Sequence, residues 1–324
     1  MKPPPSRFPD LEVLSVGLNA VVGGNGSRRS RISILDRTPA IYASTYPSEI
    51  VTCQRGNDRE FKLYCKYMAG LSYDSYGHRG GVSYEIEVYR HVLQPLPISV
   101  PKFYGSYDDV ATGDTWLIIG YVDRSLRLAK GPQPETMLRA ARWIGRFHAA
   151  NEPRVSMPSL SFLKKYDSKY YLGWVRRTSV FAAGLQQAFP WLQTLAQRFD
   201  GCMEILFSAS PAVIHGEYYP HNVLTSGRAI YPIDWESAAI APGEIDLATL
   251  TESWGPEFVR QCELAYQQAR WGRAAPADFG RRLAAARLYL CFRWLGDQPE
   301  WTVGEGSRCY FEQLHSAAEE LGLL

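Results

Sequence analysis

The chain has 324 residues, of which 46% are apolar and 21% charged, and its net charge is +2. That length buries a sizeable core, as one large domain or two smaller ones. The near-balanced charge excludes the basic signature of a nucleic-acid or membrane-surface protein.

The opening MKPPPSRFPD lacks the apolar stretch of a signal peptide, and no apolar run reaches the roughly 20 residues that cross a bilayer. A cytoplasmic protein is therefore expected, with no nucleic-acid or membrane partner. Cys53, Cys65, Cys202, Cys262, Cys291 and Cys309 form no C-x-x-C pair, so buried thiols are expected rather than a metal ribbon or redox motif.

Residues 1–30 read as partly flexible, with VVGGNGSRRS at 21–30 as a loop. The segments ISIL (32–35), EIVTCQ (49–54) and EFKLYCKYM (60–68) are short β-branched and aromatic runs separated by turn residues, which predicts three antiparallel strands. YEIEVYRHVL (84–93) places Ile86, Tyr89 and Leu93 at helical spacing, and PKFYGSYDD and TWLIIGYV return to strand character. Residues 31–122 thus predict a five-stranded sheet with one helix.

The remainder is mostly helical. Met137, Ala140, Ile144 and Phe147 define an amphipathic helix over 135–150, and further helices are predicted near 186–207, 256–272, 277–294 and 308–322. AVI, NVLT and AIYPI, around a Ser-Gly turn at 226–227, are the one strong β signal there. The fold class predicted is α+β, with a β-rich lobe over 1–122 and a helical lobe over 123–324.

The chemistry concentrates between Val213 and Leu250. Glu217 is followed five positions later by Asn222, and Asp234 comes at the end of the strand AIYPI. A carboxylate and an amide oxygen are hard donors suited to Mg²⁺. A further carboxylate in the loop before them can accept a hydroxyl proton. Base, amide and acid in this order are the parts that hold magnesium and aim a hydroxyl at the γ-phosphate of ATP.

The pattern H-G-E-x4-N, then I-D-W-E and D-L-A, resembles the catalytic core of the aminoglycoside phosphotransferase and choline kinase family, a branch of the bilobal protein-kinase-like fold. The resemblance implies Asn222 and Asp234 as the metal pair and Glu217 at the catalytic-base position. It implies Asp246 as a brace of the catalytic loop and His215 as a structural histidine. The family pattern is His-Gly-Asp, and this chain has His215-Gly216-Glu217. The extra methylene moves the carboxylate by about 1.5 Å on a fixed backbone, and a misplacement of about 1 Å can cost roughly 100-fold in rate.

The resemblance also implies a strand lysine that grips the α- and β-phosphates and pairs with a helix glutamate. Lys66 is favoured over Lys62, four residues away on the same strand face. Glu85 is favoured over Glu87, because two residues turn a helix by about 200° and only one can face the cleft. No G-x-G-x-x-G joins the first strands, so Ser44 and Thr45 are the phosphate-contact candidates. The linker containing Gly120 and Val122 is expected to offer backbone groups to adenine.

The segment 151–210 carries seven Lys/Arg against four Asp/Glu, with Phe162, Tyr166, Tyr170, Tyr171 and Trp174 interleaved. This reads either as a site for a neutral or anionic acceptor or as core packing beside a solvated face. The expected function is ATP- and Mg²⁺-dependent transfer of the γ-phosphate to a hydroxyl of a small metabolite or natural product, not a polycationic aminoglycoside. A nucleotide-binding scaffold without turnover, or a kinase of peptide hydroxyls, are the alternatives.

Overall fold

A computed structural model describes residues 8–23, 31–41, 45–72, 75–130, 133–252 and 254–324. Most of the loop expected at 21–30 lies outside the described residues. The chain divides into two compact units, one of residues 1–126 with 224–237, the other of 127–223 with 238–324. The fold is the expected α+β arrangement, β-sheet in the N-terminal region and helical in the C-terminal region.

The first unit opens with a helix that the sequence reading did not include, α1 (Leu11–Val21). The Asp10 side chain caps it by accepting from the Val13 N–H at 2.9 Å. Leu14, Gly17 and Leu18 recur on one face and are buried. Gly17 is required by close approach, since a Cβ there would lie 2.4 Å from the Trp116 ring.

Five strands follow: β1 (Ile32–Pro39), β2 (Ser48–Arg55), β3 (Phe61–Tyr67), β4 (Phe103–Asp109) and β5 (Asp114–Gly120). They form one sheet in the order β1-β2-β3-β5-β4, with antiparallel neighbours throughout. Val51, Cys53, Leu63, Cys65, Tyr67, Trp116 and Ile118 from its inner face pack with Leu14 and Leu18 of α1. The central strand β3 pairs on both sides, with Lys66 opposite Ser48 on β2 and Leu117 on β5.

The predicted helix at 84–93 is present and begins earlier, as α2 (Gly81–Glu87), then continues as a π-helical turn over Val88–Leu93. The hairpin Val223–Ser226 and Ala229–Pro232 turns through Gly227 at φ 57°, and its second arm leads to Asp234 in this same unit.

The second unit contains α3 (Pro134–Asn151), a short strand β6 (Lys164–Lys165), α4 (Ser168–Phe181), α5 (Leu192–Gln197), α6 (Phe199–Phe207) and β7 (Pro211–Ile214). After the hairpin come β8 (Ala239–Pro242), α7 (Glu244–Thr251), α8 (Pro256–Trp271), α9 (Phe279–Leu295), α10 (Pro299–Thr302) and α11 (Arg308–Glu320). A three-stranded sheet, β6-β8-β7, anchors the loop that follows β7. Helix α9 is the hub, buried on most sides, and α4, α6, α7 and α11 pack around it.

Helix α4 lies within the basic, aromatic segment and was not predicted. Its Asp167 cap accepts from the Tyr170 N–H at 2.8 Å. Tyr166, Tyr171 and Trp174 are buried, while Lys165, Lys169 and Arg176 are exposed. Tyr166, Tyr170, Tyr171 and Tyr289 form a ring cluster whose centroids lie 3.9–6.2 Å apart. Tyr166, Tyr171 and Trp174 of that segment are therefore core, Lys165, Lys169 and Arg176 face solvent, and Arg177 is half-buried, donating to the Gly296 and Asp297 carbonyls. Among the described residues no helix is long and apolar enough to cross a membrane.

Candidate phosphotransfer site

The first unit gathers charge around Lys66. Its Nζ lies 2.8 Å from Glu85 Oε2 and 2.7 Å from Asp234 Oδ1, and 3.9 Å from Glu236 Oε2. Burial pulls the Lys66 ammonium down, but the Asp234, Glu85 and Glu236 carboxylates outweigh it and hold it well above the ordinary lysine range. The Tyr46 ring closes one side, 5.5 Å from the ammonium. Glu85 is fixed in turn by the Trp235 N–H, which donates to Oε1 at 3.1 Å.

Lys62 has a different setting. Its exposed ammonium meets the exposed Asp123, at 3.4 Å. Glu87 faces away from Lys66 and pairs with Arg90 and His91 along the helix surface. Of the candidates, Lys66 and Glu85 thus meet each other, while Lys62 and Glu87 have other partners.

Asp234 adopts φ 68°, a left-handed conformation that a non-glycine residue takes at a cost, and Asp takes more readily than most. Its side chain remains one third exposed, at 33%. Two residues on, Glu236 is buried, and burial pushes its carboxyl up to about 8 despite the Lys66 charge. Arg79 reaches Glu236 Oε1 at 3.5 Å and donates to Thr45 Oγ1 at 3.2 Å. The Gly80 N–H donates to the Glu236 carbonyl at 2.7 Å.

The other nucleotide candidates are placed as follows. Ser44 lies outside the described residues. Gly120 ends β5 with its N–H committed to the Lys102 carbonyl at 2.7 Å. Val122 follows it, half-buried.

In the second unit the loop after β7 carries His215, Gly216 and Glu217. Gly216 has φ 84°, which only glycine adopts freely. Asp246, in the first turn of α7, straps this loop: its Oδ2 accepts from the His215 N–H at 2.7 Å and its Oδ1 from the Gly216 N–H at 2.9 Å. His148 Nε2 meets Asp246 Oδ2 at 3.0 Å, Tyr266 OH meets His148 Nδ1 at 2.9 Å, and Arg270 donates to Tyr266 OH at 2.7 Å. Burial holds His148 below its ordinary range against the pull of Asp246. Gly243 makes room for this chain, since a Cβ there would lie 2.5 Å from His148 Nδ1.

The Glu217 side chain is buried, and its Oε1 accepts from Arg293 Nη2 at 2.7 Å. Arg293 comes from α9 and is itself buried, its guanidinium 4.9 Å from the Trp294 ring and 5.9 Å from the Trp174 ring. Burial lowers its proton affinity, but the Glu217 carboxylate more than restores it, and the guanidinium is charged. Asn222 is tied to the same loop, its Nδ2 donating to the Glu217 carbonyl at 3.1 Å.

A model of the phosphotransferase enzyme family (APH) matches residues 77–279, which contain Glu85, Glu217, Asn222, Asp234 and Asp246. The chain belongs to the phosphotransferase enzyme family. No curated protein sequence matches it.

Solved structures show that this phosphotransferase has the kinase-like fold of aminoglycoside phosphotransferases and choline kinases. A choline kinase from Cryptosporidium parvum superposes with TM-score 0.62 at 14% identity, over 97% of this chain and 98% of that one. The streptomycin–ATP–APH(2")-IIa ternary complex gives 0.61 at 15% identity, over 95% and 99%. The GDP complex of wild-type aminoglycoside 2'-phosphotransferase-IIIa gives 0.58 at 17% identity, over 89% and 93%.

Sequence reasoning missed Arg293, Arg79 and the His148–Tyr266–Arg270 chain. Arg293 did leave a signal: a charge inside the apolar run LCFRWL of a core helix, where an arginine needs a partner. The His148 chain carries no local signal, because the partners of His148 are 98 and 118 positions away in sequence.

Proposed function

We propose that this phosphotransferase moves the γ-phosphate of ATP, with Mg²⁺, to a hydroxyl of a small metabolite or natural product. The observation that carries the reading is the buried Lys66–Glu85 pair with Asp234 on the same ammonium. Lys66, held by Glu85, takes the α- and β-phosphates. Thr45 contacts phosphate oxygens, and the Gly120–Val122 linker borders adenine.

The residues fit the metal. Asp234 offers a partly exposed carboxylate and Asn222 a neutral amide oxygen, the sparse hard-oxygen set that Mg²⁺ uses alongside phosphates and waters. When bound, the ion neutralises phosphate charge. Glu217 orients the acceptor hydroxyl and receives its proton as the acceptor oxygen bonds to Pγ. The bond from Pγ to the β–γ bridging oxygen breaks, and ADP leaves with the electron pair. A loose transition state asks little of the base, so a carboxylate side chain suffices there.

Glu217 is neutralised by Arg293, and Lys165 and Lys169 are exposed on the same unit. These charges favour a neutral or anionic acceptor over a polycation. The test is a thermal-shift titration with ATP, with and without Mg²⁺, joined to an ATP-consumption screen over hydroxyl acceptors. Mg²⁺-enhanced stabilisation and acceptor-dependent ADP release are expected. Nucleotide binding without turnover on any acceptor would favour a silent scaffold.

A further inference from the structure

Glutamate at a position where the family pattern has aspartate raises the question of what fixes the longer side chain. Extending a carboxylate by one methylene adds a rotatable bond and about 1.5 Å of reach, and catalytic groups tolerate little misplacement. Glu217 solves this locally. Its carboxylate is buried, 1% exposed, and one oxygen sits 2.7 Å from the guanidinium of Arg293, which is 4% exposed. The guanidinium is built in from the far side: α9 is the core hub of its unit, and the Trp174 and Trp294 rings flank it. The loop's backbone is set separately, by Asp246 on the His215 and Gly216 N–H groups. Backbone and side chain therefore have different anchors.

Resting on the phosphotransfer reading, we propose that Arg293 is a positioning residue for Glu217, holding its carboxylate where the acceptor oxygen must lie and making glutamate workable at this position. The chemistry explains why an arginine serves. Guanidinium is planar, always charged and weakly hydrated, so it tolerates burial between the two tryptophan rings and holds the carboxylate through Nη2. An aspartate on the same backbone falls short of Arg293 by about one bond length. The role of Arg293 thus depends on Glu217 being glutamate. A merely structural arginine would matter equally in either background.

The test uses hydrolysis of Mg·ATP, with water as the acceptor, in the wild type, R293K, R293M, E217D and the double variant E217D/R293M. Nucleotide affinity is measured alongside by calorimetry. R293M is expected to lower kcat by about two orders of magnitude, with nucleotide affinity within about twofold. R293K keeps the charge without the planar fork and is expected to recover part of that loss. In the E217D background, adding R293M is expected to change kcat by less than about threefold, because the shorter aspartate side chain has already lost the contact. If R293M does not fold, the same comparison is made with R293K in the two backgrounds.

A kcat for R293M within about twofold of wild type overturns the proposal, as does an equal loss in both backgrounds. A wild type that binds nucleotide but releases no ADP with water or with any hydroxyl acceptor of the screen overturns the phosphotransfer reading, and this proposal with it. An active wild type with an insensitive Arg293 overturns the proposal alone.

Discussion

Lys66 and Glu85 form a buried ion pair, Nζ to Oε2 at 2.8 Å, with the two side chains 9% and 3% exposed. One comes from the central strand of the sheet and the other from α2. A pair of this kind contributes little relative to an apolar pair of the same shape, but breaking it strands a charge away from water.

Lys66→Met is therefore expected to destabilise the protein by about 3–5 kcal/mol. Lys62→Met, on the same strand, removes an exposed contact and is expected to cost less than about 1 kcal/mol. Urea unfolding of the two variants checks the contrast. Equal losses would mean that the two lysines do not differ in environment as described.

Asp246 accepts from two buried backbone N–H groups and faces His148. Asp246→Ala leaves those donors without an acceptor, at about 1–3 kcal/mol each. The expected result is a strongly lowered melting temperature, with loss of phosphotransfer even where the protein is folded. His148→Phe, which removes one link and leaves the backbone donors satisfied, is expected to cost less.

Glu236 gives a pH-dependent contribution. Its folded value, about 8, lies above the ordinary 4.5, so the folded state holds a proton that the unfolded state releases. The associated stability is fully present below about pH 4.5 and is lost as pH rises through about 8. Glu236→Gln removes that dependence. The stability of the variant relative to wild type is expected to rise between about pH 5 and about pH 8, by at most about 1.4 kcal/mol per pH unit. Chemical denaturation at several pH values measures it, and a pH-independent difference would contradict the assignment.

Gly17→Ala tests the packing of α1 on the sheet. The new methyl would sit 2.4 Å from the Trp116 ring, and overpacking of this kind costs about 1–3 kcal/mol. An Ala at an exposed helix glycine would stabilise instead, so the sign of the change in melting temperature decides whether α1 lies where it is described.

The β-sheet unit was largely legible in sequence, because its strands are short β-branched and aromatic runs bounded by turn residues. Lys66 and Glu85 came from the family resemblance, and the structure joins them in one buried ion pair. The helices α1 and α4 were not legible. α1 precedes a glycine-rich loop that dominates its neighbourhood, and α4 has aromatic and basic residues that read equally well as a binding surface. Its aromatics instead fill the space beside Tyr289, which only the tertiary fold brings near. The Glu217–Arg293 pair spans 76 positions. Glutamate in place of aspartate was visible in the sequence, and the residue that holds it was not, since nothing local links α9 to the loop after β7.

The central claim, γ-phosphate transfer dependent on Asp234, is tested most directly by phosphorus NMR of Mg·ATP with wild type and with D234A. With an acceptor panel present, the wild type is expected to convert ATP to ADP with a new phosphoester resonance, and D234A to leave ATP unchanged. Equal turnover by the two proteins would contradict the account.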